Sequence, residues 1–116
     1  MKKVINIVLF SVFLISCDSR TFEQISDTTP INDIVKYTVE VEPIIKERCL
    51  GCHSPGGPAA FRPFTNYNQV KEHIDNIIDR IQRPNGAPGR MPPGGALSPS
   101  QINTFIQWKS DGLLEN

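Results

Sequence analysis

The stretch RPNGAPGRMPPGGALSPS, Arg83–Ser100, packs five prolines and four glycines into eighteen residues. Neither a helix nor a strand tolerates that density, because proline removes a backbone donor and glycine adds backbone freedom. A connection of this length is uncommon in a small domain unless it has something to pack on. The chain has 116 residues, room for one small domain. The fold is thus limited to short elements gathered around a support.

Three segments carry a helical period. The first is Val41 to about Arg48, with Pro43 in its first turn and Val41, Ile44 and Ile45 on one face. The second is Asn66–Arg83, where Val70, Ile74, Ile77, Ile78 and Ile81 form a single stripe. Thr65 or Asn66 can cap its start, and Pro84 ends it. The third is Pro99–Asp111. Ser98, Pro99 and Gln101 occupy the N-cap, N1 and N3 positions of a capping box. Ile102, Phe105 and Ile106 are its expected buried face, and Gly112 its stop. No internal repeat and no clear strand accompany them, so the expected fold class is all-α. Three short helices offer a thin core, and a domain this small commonly needs a metal, a disulfide or a cofactor as a staple.

The first residues stand apart. MKKVINIVLFSVFLISC has a basic pair, Lys2 and Lys3, and then an apolar run from Val4 to Ile15. This is the layout of a secretory signal, and the run is too short for a good membrane span. Leu14-Ile15-Ser16-Cys17 resembles the lipobox of bacterial lipoproteins, although Ile15 replaces a more usual small residue. The resemblance implies a signal peptide over 1–16, cleavage before Cys17 and lipidation of its thiol. Residues 17–36 then read as the lipidated N-terminus and a polar spacer, and 37–116 as the functional domain. Cleavage removes two lysines and leaves 10 basic against 12 acidic side chains, a balance that does not suggest a nucleic-acid partner. The expected location is extracytoplasmic, on a membrane anchor.

With Cys17 assigned to lipid, two of the three cysteines remain for chemistry. They lie in Cys49-Leu50-Gly51-Cys52-His53. A C-x-x-C-H run is the pattern of covalent c-type haem attachment, with the thiols on the vinyl groups and the histidine under the iron. Gly51 eases the curl of the chain between the thiols. Zinc would need His73 as well as His53, and the usual second close-spaced ligand pair is missing. A thiol–disulfide enzyme would place C-x-x-C at a strand-to-helix turn, whereas this motif follows a helix.

Together with the segments RMPPGG (Arg90–Gly95) and LSPSQINTFIQW (Leu97–Trp108), the motif resembles the small monohaem cytochromes c of the class I type, from about Tyr37 to Gly112. Lys109 and Leu113 depart from that pattern, where an apolar and a small residue are more usual. The resemblance implies three to four helices around one covalent haem c, with the first and last helices packing across each other. Cys49 and Cys52 would be the thioether positions, His53 the proximal iron ligand and Met91 the distal one. Met91 is the one methionine besides the initiator, and it sits between prolines on the long loop instead of in a helix. A backbone carbonyl from Ser54–Pro63 should accept the other ring N–H of His53, with Pro58 the expected partner. Phe61, Phe64 and Phe105 are expected to wall the pocket. Arg62, Arg90, Asn68, Tyr67 and Trp108 could meet haem carboxylates or equally lie elsewhere on the surface.

The expected function is one-electron transfer between protein redox partners, without catalysis by the domain itself, since His53 and Met91 together fill both axial positions. His73 is an alternative axial ligand, or simply an exposed helical histidine. The alternatives in function are a haem-binding sensory or accessory module of a larger extracytoplasmic complex, and a haem-free interaction lipoprotein.

Overall fold

The computed structural model describes residues 34–116. The expected signal peptide, Cys17 and most of the spacer lie outside the described residues. Those described form helices and loops, with no strand among them, so the domain is all-α.

The chain enters through a π-helical turn, Tyr37–Val41, which passes directly into helix α1, Glu42–Arg48. Pro43 sits in the first turn of α1, where a missing N–H costs nothing. The apolar stripe expected to form one second helix is divided into α2, Tyr67–Glu72, and α3, Ile74–Gln82. His73 makes the break with φ −106° and ψ 10°. The stripe survives it: Val70, Ile74, Ile77 and Ile81 are all buried. A change in the dihedral angles of one residue leaves the hydrophobic period intact, which is why the period does not register it. Asn66 is the cap of α2, accepting from the Gln69 N–H at 3.1 Å.

Helix α4, Pro99–Ser110, starts with the full reciprocal capping box of Ser98 and Gln101. It ends in a Schellman motif. Leu113 N–H donates to the Trp108 carbonyl at 2.9 Å and Gly112 N–H to that of Lys109 at 3.2 Å. Gly112 has φ +94°, the left-handed conformation in which a side chain would be strained. The buried face of α4 differs from the expected one. Phe105 and Trp108 are fully buried, while Ile106 is 39% exposed. Trp108 owes its depth to two aromatic neighbours, Tyr37 at 5.7 Å and Tyr67 at 6.1 Å between centroids. Its indole N–H donates to the Leu114 carbonyl at 2.8 Å, so burial leaves no polar atom without a partner.

One core joins all these elements, running from Val35 and Ile45 to Leu97 and Trp108. The last helix packs against α3 and against the π-helical turn. The C-terminal segment adds two backbone bonds to that turn, from Tyr37 N–H to Leu114 and from Thr38 N–H to Glu115. No helix among the described residues is long and apolar enough to cross a membrane.

Candidate haem pocket

Helix α1 delivers the motif. Its last bonds run from the Cys49 and Leu50 N–H groups to the Ile45 carbonyl. One further turn follows, closed by His53 N–H to the Cys49 carbonyl at 2.9 Å. Within a turn closed in this way, residues i, i+3 and i+4 share a face. Cys49, Cys52 and His53 hold those three positions, and all three line one cavity. Both thiols are free. Burial pushes the Cys49 thiol up to about 11, with Cys52 adding to the rise and Arg48 opposing it.

The loop after the motif folds back onto it. Ala59 N–H donates to the Cys52 carbonyl at 3.0 Å, and Phe64 N–H to the His53 carbonyl at 2.9 Å. Gly57 is required by this close approach, because a Cβ there would collide with the Cys52 carbonyl. Gly51 is different: a Cβ there meets open space and its φ is not positive. The curl between the thiols therefore does not require a glycine at 51.

The folded-back loop fixes the imidazole. His53 Nδ1 lies 2.7 Å from the Arg62 carbonyl, which takes the place expected for Pro58. A carbonyl only accepts, so Nδ1 carries a proton, and in the neutral ring Nε2 keeps its lone pair. Phe64 stacks on the ring at 4.4 Å between centroids and 21° between planes. The other edge of Phe64 meets His73 at 6.0 Å.

The cavity measures about 560 Å³, within the range of small-molecule and cofactor sites. Phe64, Ile77 and Ile81 supply apolar wall, as do Pro92 and Pro93, which follow Met91 on the long loop. Met91 joins the motif residues in this lining, although it stands 38 positions after His53 in the chain. Its N–H donates to the Arg80 carbonyl on α3 at 3.1 Å, so the long loop does pack on a helix. His73, at the break between α2 and α3, also lines the cavity. Among the expected aromatic walls, Phe61 and Phe64 line the cavity, Phe61 while 83% exposed. Phe105 does not; it faces the core from α4.

Charge around the cavity is one-sided. Arg48, Arg62 and Arg80 belong to its lining, and no carboxylate does. Sequence patterning alone missed Arg48 and Arg80, because each reads as the polar face of a helix. Tyr67 and Trp108 are absent from the lining and bond to the C-terminal carbonyls of Leu113 and Leu114. Arg90 donates to the Arg83 carbonyl within its own loop. Among the described residues no group of three or more His, Cys, Asp or Glu side chains is placed to hold a metal ion. No protein-family model, curated protein or solved structure matches the chain.

Proposed function

We propose that the domain holds one covalent haem c and passes single electrons between protein partners, tethered outside the cytoplasm by a lipid on Cys17. The observation that carries this reading is the meeting of Cys49, Cys52, His53 and Met91 on the wall of one apolar, arginine-rimmed cavity. The fold would then be of the cytochrome c type, with the haem as the staple that its thin core calls for.

In this reading Cys49 and Cys52 would hold the group through thioethers, and His53 Nε2 and the Met91 sulfur would be the donors to its iron. Bound there, the haem supplies a one-electron couple whose potential a thioether ligand raises. The chain does the rest. The Arg62 carbonyl holds the His53 proton on Nδ1, which orients the ring and makes Nε2 a better donor. Phe64 fixes the plane of that ring from its face. Arg48, Arg62 and Arg80 offer positive charge to the carboxylates of the group. The apolar walls exclude water and lower the local dielectric. With both axial donors taken from the chain, no position is left for a substrate, which favours a carrier over an enzyme. A lipid on Cys17 would keep the domain in a thin layer near its partners.

Near-infrared absorbance tests the ligand pair. The mature oxidised protein should show the sulfur-to-iron band of methionine ligation, and Met91→Ala should abolish it. Persistence of the band in Met91→Ala would sink the assignment. His73 shares the cavity and supports a second reading with two histidine ligands. That reading predicts no such band in the wild type, and a spectrum that changes in His73→Ala. Rapid binding of carbon monoxide by the reduced wild type would favour a sensory module instead.

A further inference from the structure

The loop that bears Met91 is held by two arginines at the end of α3. Arg80 donates from Nη1 to the Gly89 carbonyl at 2.9 Å, and Arg83 donates from Nη1 to the Pro88 carbonyl at 2.6 Å. Arg80 also accepts the Met91 N–H at its own carbonyl, 3.1 Å away. It thus grips the chain on both sides of Arg90. Arg83 is steadied in turn by Asp79, 2.6 Å from its Nη2. Gly89 admits both guanidinium groups: with φ +73°, a Cβ there would stand 2.6 Å from Arg80 Nη1 and 2.8 Å from Arg83 Nη1. Five separate features therefore converge on one nine-residue excursion, 83–91.

We propose that Arg80, assisted by Arg83, is the positioning group for Met91. The clamp sets how often the loop lifts from α3, and so how firmly the Met91 sulfur keeps its axial place. This inference rests on the assignment of Met91 as an iron ligand. An outside ligand reaches the iron only when the loop is open. Its apparent affinity therefore scales with the open fraction. A hydrogen bond from a charged donor contributes enough that losing it raises that fraction about tenfold or more.

The test uses the full mature haem-loaded protein and three variants. Arg80→Ala removes the side-chain bond to the Gly89 carbonyl and leaves the backbone bond to Met91. Gly89→Ala leaves both arginines and all cavity-lining residues in place, yet blocks their approach. Arg80→Lys keeps the charge and one donor. Two quantities are read: the affinity of the oxidised protein for free imidazole, and the exchange rate of the Met91 amide. In Arg80→Ala and Gly89→Ala both should rise about tenfold, while the amides of His53 and Phe64 keep their wild-type protection. Arg80→Lys should fall between these variants and the wild type. Imidazole affinity and Met91 exchange within twofold of wild type in both Arg80→Ala and Gly89→Ala would overturn the clamp alone. A wild type that lacks the sulfur-to-iron band would overturn the Met91 assignment, and the inference with it.

Discussion

The rings of His53 and Phe64 stack at 4.4 Å, and the Phe64 N–H donates to the His53 carbonyl at 2.9 Å. One residue thus holds both the backbone and the side chain of the other. Phe64 is buried, so truncation removes packing as well as the stack. Phe64→Ala should lower unfolding free energy by about 3 kcal/mol, read from urea midpoints. Phe64→Leu keeps most of the volume and should cost roughly half as much. A Phe64→Leu variant as stable as the wild type would mean that the stack contributes nothing of its own.

Two glycines in and beside the motif should respond in opposite ways. Gly57→Ala drives a Cβ into the Cys52 carbonyl, and no flexible side chain is there to give way. It should sharply reduce the yield of covalently loaded protein. Gly51→Ala meets open space and should load like the wild type. Absorbance per mole of purified chain measures both.

The Cys49 thiol should react slowly in the folded chain before loading. In the haem-free chain, burial pushes Cys49 up to about 11 from an ordinary value of 9.0. At pH 8 its thiolate fraction is then about 100-fold lower than when the chain is unfolded. Iodoacetamide at pH 8 should label Cys49 more slowly, by about that factor, in buffer than in urea. The sign of the linkage follows. A thiol raised in the folded state keeps its proton there longer, so its contribution to stability is complete below pH 9 and is lost as pH rises toward 11. Urea midpoints of the haem-free chain should decline across that window, and Cys49→Ala should flatten the decline.

The face of α4 can be checked directly. Trp108 is fully buried and hydrogen-bonded, whereas Ile106 is 39% exposed. Trp108→Ala should cost about 3–5 kcal/mol, and Ile106→Ser less than about 0.5 kcal/mol. Denaturation midpoints of the two variants would separate this face from one centred on Ile106.

Much of the helical architecture is legible in the chain. Ser98-Pro99-Ser100-Gln101 announces the start of α4, and Gly112 its end, because caps are local chemistry that needs no tertiary partner. The stripe from Val70 to Ile81 is also local, yet it hides the break at His73. The shift of the α4 face from Ile106 to Trp108 depends on Tyr37 and Tyr67, which arrive from distant parts of the chain. The same holds around the cavity. Cys49, Cys52 and His53 are neighbours in sequence and read as a unit. The Arg62 carbonyl cannot be chosen among ten loop carbonyls until the loop has folded. Arg48 and Arg80 look like ordinary helix-surface charges, and nothing in their spacing tells that they line one cavity.

The central claim is that Cys49 and Cys52 are attachment points for a haem. Mass spectrometry of the full chain, produced together with c-type haem maturation machinery and then denatured, tests it most directly. The account predicts a Cys49–His53 peptide that carries the mass of one haem, with neither thiol open to alkylation. A peptide with both thiols free and no added mass, from the same cells that load another c-type protein, would contradict it.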